Sequence, residues 1–139
     1  MSKIKVKVVI GVTKKEFEAI SFFRSEVTDK VEGSSDEAYV QSIEVYTSHY
    51  REFTDRLFAS KSKRIEVFEH ELDSFRELRY ETAGKIDGGA DEDYIAEFEL
   101  HDKQLTKLRK KFEKAKSKAT VEWALAIAKE RLAKQGCHG

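Results

Sequence analysis

The sequence predicts a mainly α-helical fold, a helical bundle or long antiparallel coiled-coil hairpin with one N-terminal β-strand. Three observations predict it. Proline is absent from all 139 residues, so no helix has to be interrupted. Charged residues make up 37% and hydrophobic ones 40%, a balance suited to long helices with a narrow apolar stripe and a wide solvated face. Only KIKVKVVIGVT, residues 3–13, alternates strictly. The length is that of a single helical domain over residues 1–139.

In that strand Ile4, Val6, Val8, Ile10 and Val12 share one face, while Lys3, Lys5 and Lys7 take the other. This is period two in β-branched residues. A lone strand cannot satisfy its own backbone, and no second strand is legible downstream. The economical expectation is pairing with the same strand of another chain about a two-fold axis, with Ile4, Val6, Val8 and Ile10 forming the self-association surface.

Thr13-Lys14-Lys15-Glu16 is a capping box, with Val12 and Phe17 at the flanking staple positions. It starts a first helix over 14–30, which buries Phe17, Ile20, Phe23 and Val27. Ser34 and Glu37 form a second box, opening a helix over 35–59. Tyr39, Ile43, Tyr46, Tyr50, Phe53 and Leu57 give it a heptad seam. A third helix over 62–84 is expected from Ile65, Phe68, Leu72, Phe75 and Leu78. The clearest loop is Asp87-Gly88-Gly89-Ala90-Asp91. A fourth helix over 91–135 carries Phe98, Leu105, Leu108, Phe112, Ala115 and Ala119, and Ala119, Trp123, Ala126 and Ile127 continue its seam. No internal repeat and no low-complexity segment is legible.

Composition excludes some functions. Twenty-six Lys and Arg balance 26 Asp and Glu, so the chain is neither a globally basic nucleic-acid binder nor an acidic mimic of one. No apolar run has transmembrane length. The single cysteine, Cys137, cannot form an internal disulfide, and MSKIKVKVV lacks the apolar core of a signal peptide. A cytoplasmic protein is expected. The four histidines are scattered singly with no ligand spacing, and IDGGADED lacks the alternating ligands of a calcium loop. No nucleophile motif or phosphate loop is present. Neither catalysis, nor a metal, nor a cofactor is expected.

Charge is segregated locally. Residues 86–102 hold seven acidic side chains and no Lys or Arg, whereas residues 103–118 hold eight Lys and Arg and only Glu113. Lys103, Lys107, Lys110, Lys111, Lys114 and Lys118 fall on one helical stripe. It is a solvated face, or else a ladder for nucleic-acid phosphates or an acidic protein surface. Val121, Leu125, Ala128 and Leu132 form a second apolar stripe, and a helix apolar on two faces is covered twice. With Phe22, which points off its own seam, they are the expected partner or subunit interface. The reading is a non-enzymatic interaction protein, an adaptor, inhibitor or regulator in the style of phage or mobile-element proteins. It would act as a homo-oligomer, a dimer first, with a protein partner of unknown identity. The alternative is a nucleic-acid-binding accessory protein, and a small helical enzyme comes last.

Overall fold

The computed structural model describes residues 6–136. The elements run β1 (Lys7–Gly11), α1 (Lys14–Glu32), α2 (Glu37–Ala59), β2 (Arg64–Phe68), α3 (Glu69–Asp87) and α4 (Glu92–Gly136). The fold is mainly α, as the sequence predicts. The capping box at Thr13 forms as expected: Glu16 N donates to Thr13 Oγ1 at 3.1 Å and Thr13 N to Glu16 Oε1 at 2.9 Å. The cap of α2 shifts two residues, because Asp36 accepts from the amides of Ala38 and Tyr39. Ser34 instead accepts from Asp36 N at 3.2 Å.

The expected third helix is divided. Its first turn is β2, which pairs antiparallel with β1 in the register Ile10↔Ile65. Arg64-Ile65-Glu66-Val67 alternates polar and apolar, and both strands bury every second residue. Ile65, Phe68 and Leu72 are also spaced like a helix face, and over so short a run the two periods are not separable. The pairing expected between chains is therefore made within this one. Val8 and Ile10 turn their side chains into the core, so they are not a free self-association face; Ile4 lies outside the described residues.

The element order is β-α-α followed by β-α-α, and the halves correspond residue for residue. The first helix starts at 14 and its counterpart at 69, 55 residues later; the ends, 32 and 87, keep that interval. So do the starts of α2 and α4, at 37 and 92. Between positions 10 and 59, eleven residues recur identically 55 places on, among them Ile10/Ile65, Val12/Val67, Glu16/Glu71, Gly33/Gly88, Asp36/Asp91 and Tyr39/Tyr94. The sequence thus holds an internal repeat, contrary to expectation. It escapes notice because hydrophobic positions are kept while their residues change: Phe53 answers to Leu108 and Leu57 to Phe112, all buried.

Contacts between the halves are reciprocal. Arg56 of α2 bonds Glu71 of α3, and its counterpart Lys111 of α4 bonds Glu16 of α1 at 2.7 Å. The same two cations also reach strand carbonyls, Arg56 to Glu66 and Lys111 to Gly11. Lys30 faces Glu81 at 4.0 Å and Lys85 faces Glu26 at 2.6 Å. An approximate two-fold axis therefore runs through the Ile10–Ile65 pair. It has the geometry of an isologous dimer, with both halves in one chain. One core spans it, built on Ile20, Phe23, Phe53, Phe75, Leu78, Leu108 and Phe112. Each such side chain contributes about 1.5–3 kcal/mol on burial.

Candidate interaction surfaces

The two halves differ most after residue 114, the counterpart of Ala59. There α2 ends and the chain turns through Ser60–Lys63 into β2, whereas α4 runs on to Gly136. The core seam stops at half-buried Ala115 and does not continue through Ala119 and Trp123. From Ser117 to Ala133 every side chain is exposed except half-buried Ile127. Trp123 is 67%, Leu125 56% and Leu132 66% exposed, and Val121 and Ala128 are exposed with them. Among the described residues nothing covers the stripe of Val121, Leu125, Ala128 and Leu132. The last 20 residues of the helix form an overhang about 30 Å long. Lys116 anchors its base to Glu69 at 2.7 Å, and that hydrogen bond raises the Lys116 pKa.

The lysine stripe is placed on the outer side of α4, but its members have different roles. Lys111 is engaged by Glu16 and Gly11. Lys103, Lys107, Lys110, Lys114 and Lys118 are exposed and make no ion pair among the described residues. Lys107 and Lys110 line a shallow depression with Lys15 and Gln104. Lys114 and Lys118 line a larger groove of about 520 Å³ between α4 and β1. The groove lies where the edge of β1 meets the flank of α4, a meeting that no local sequence pattern reveals.

Phe22 is half-buried within the chain. It stacks on His101 of α4 at 4.3 Å and lies 6.2 Å from Tyr94. Two members of the acidic block have structural roles. Asp91 accepts from Tyr94 N at 2.8 Å, and Asp102 takes both arms of Arg79 at 2.9 and 3.2 Å. Gly89 turns the loop before α4 at φ +99, where a Cβ would be strained. Burial and then the Glu26 carboxylate push the Tyr94 phenol up to about 12. Its counterpart Tyr39 is raised by burial and by Glu81, to which it donates at 3.2 Å. Among the described residues no three His, Cys, Asp or Glu side chains converge on a metal-sized site, and no helix is long and apolar enough to cross a membrane. No family model matches the chain, and no curated protein or solved structure matches it.

Proposed function

We propose that the protein is a non-enzymatic interaction module of the cytoplasm, an adaptor, inhibitor or regulator that assembles with itself through the overhang of α4. The observation that carries this reading is the exposure of Val121, Leu125 and Leu132 on one face of α4 beyond the end of its buried seam. An exposed apolar row on one face of a helix is a docking face. The row is self-complementary. Positions 121, 125, 128 and 132 are spaced four, three, four, symmetric about their midpoint. An antiparallel second copy would set Val121 against Leu132 and Leu125 against Ala128, with Glu122 opposite Arg131 on the flank.

Mass by light scattering should double as concentration rises. Leu125→Lys with Leu132→Lys should abolish that change. A wild-type protein that stays monomeric at high concentration would refute the reading.

The row of unpaired lysines supports a second reading, contact with nucleic-acid phosphates along about 22 Å of helix from Lys103 to Lys118. Changing Lys107, Lys110 and Lys114 to Glu should then remove binding to duplex DNA or RNA and flatten its salt dependence. Absence of any binding at low salt eliminates it.

A further inference from the structure

We propose that the groove between β1 and α4 binds an extended acidic peptide, which adds a strand to the free edge of β1. This deepens the reading of the protein as an interaction module but does not depend on pairing of the overhang.

The backbone sets the geometry. Val12 N donates to Lys63 O at 2.9 Å and Glu69 N donates to Val6 O at 2.8 Å. In an antiparallel ladder every second residue is bonded to the neighbouring strand, so the even residues of β1 are bonded to β2. The amides and carbonyls of Lys7, Val9 and Gly11 point to the other edge. Lys111 takes the Gly11 carbonyl, and Arg64 reaches the Val9 carbonyl only at 3.5 Å. The amides of Lys7 and Val9 have no partner among the described residues. An open edge of this kind is a template for another strand.

The groove faces that edge. Ala115 and Ala119 of α4 line it with no side chain beyond Cβ, and its 520 Å³ is within the range of built ligand sites. The other half of the molecule lacks the wall, because α2 stops at Ala59 where α4 continues past Lys114. The duplicated unit has thus opened a groove on one side only.

Charge selects the occupant. Lys7, Arg64, Lys111, Lys114 and Lys118 line the groove against a single carboxylate, Glu122. After Lys7 pairs with Glu66 and Lys111 with Glu16, Arg64, Lys114 and Lys118 are left without an anion among the described residues. A second copy docked edge to edge would bring these cations against their own duplicates. A nucleic acid has no alternating donors and acceptors to meet the strand edge. A peptide with carboxylates along an extended backbone satisfies both demands.

The test is selection from a surface-displayed library of random octapeptides on the full chain, followed by fluorescence polarisation with the selected peptide. Selected peptides should be rich in Asp and Glu, and Lys114→Glu with Lys118→Glu should weaken binding at least tenfold while leaving the circular dichroism unchanged. N-methylation of one alternate set of peptide amides should weaken binding at least tenfold, and of the other set little. The groove variant should still assemble, and Leu125→Lys with Leu132→Lys should still bind peptide, which separates this proposal from the overhang reading. No selected peptides, peptides without acidic bias, equal binding by the charge-reversed groove, or indifference to methylation of either set would each overturn it. So would duplex DNA that displaces the peptide and binds more tightly.

Discussion

Two carboxylates buried at helix starts, Glu16 at 1% and Glu71 at 0% exposure, each depend on a cation from the other half. Glu71 gives one oxygen to Phe68 N and Arg56, and its Oε2 lies buried without a hydrogen-bond partner. Removing Arg56 leaves a buried charge uncompensated, which costs about 3–5 kcal/mol. Arg56→Ala should therefore lower stability by about that much in urea titrations. Arg56→Lys should cost about 1 kcal/mol or less, because Lys111 makes the equivalent two contacts from one ammonium. A second residue-scale prediction concerns Tyr94. Its folded pKa of about 12 is above the ordinary 10.0. The folded state therefore holds the phenol proton more tightly than the unfolded chain does. That contribution is whole below pH 10 and fades as pH rises from 10 towards 12. Melting temperatures across that window should fall more steeply for the wild type than for Tyr94→Phe, and equal slopes would contradict the assignment.

At the scale of elements, α4 is two structures in series. Its first half is core, with Phe98, Leu105, Leu108 and Phe112 buried, and residues 117–133 are not buried. Leu108→Ala should cost about 2–5 kcal/mol. Leu125→Ala in the dilute monomer should stay within about 0.5 kcal/mol, and equal costs would place the overhang in the core. The helices were legible because their caps and heptads are local: Thr13 with Glu16, or Phe98 to Phe112 on one face. What could not be read locally was where cover ends. Ala119, Trp123 and Ile127 repeat the seam of the buried turns, and only the position of β1 and β2 decides that nothing lies over most of it. The second strand was hidden for a related reason. Arg64–Phe68 carries too few residues to choose between periods two and 3.6, and pairing with β1, more than 50 positions away, decides the matter. Of the candidate site, the apolar row and the lysines were visible in sequence. The groove was not, because it exists only where a strand edge meets a helix flank.

At the scale of the whole molecule, the expectation of a two-fold strand pair was right in form and wrong in address, since the mate of β1 is the second half of the same chain. This makes a strong prediction about the first half. The cross-axis ion pairs between helices have both members within it: Glu16 could take Arg56 of a second fragment and Lys30 could take Glu26, while Tyr39 could donate to Glu26 as it now does to Glu81. Ile10 would meet Ile10 as it now meets Ile65. Alone, the fragment exposes Phe23, Phe53 and Leu57, which are buried in the intact chain, and a β-α-α unit of about 60 residues is marginal without cover. A fragment of residues 1–61 should therefore be largely unfolded when dilute and fold as a dimer when concentrated, with helicity and mass rising together. It should be less stable than the intact chain at low concentration, because the Ser60–Lys63 connection makes association intramolecular. Arg56→Ala should abolish the dimer outright, as it removes two salt bridges from one symmetric interface. A fragment that is helical and monomeric at every concentration would mean that each half folds by itself, and the reciprocal contacts would then be ornament on two independent units.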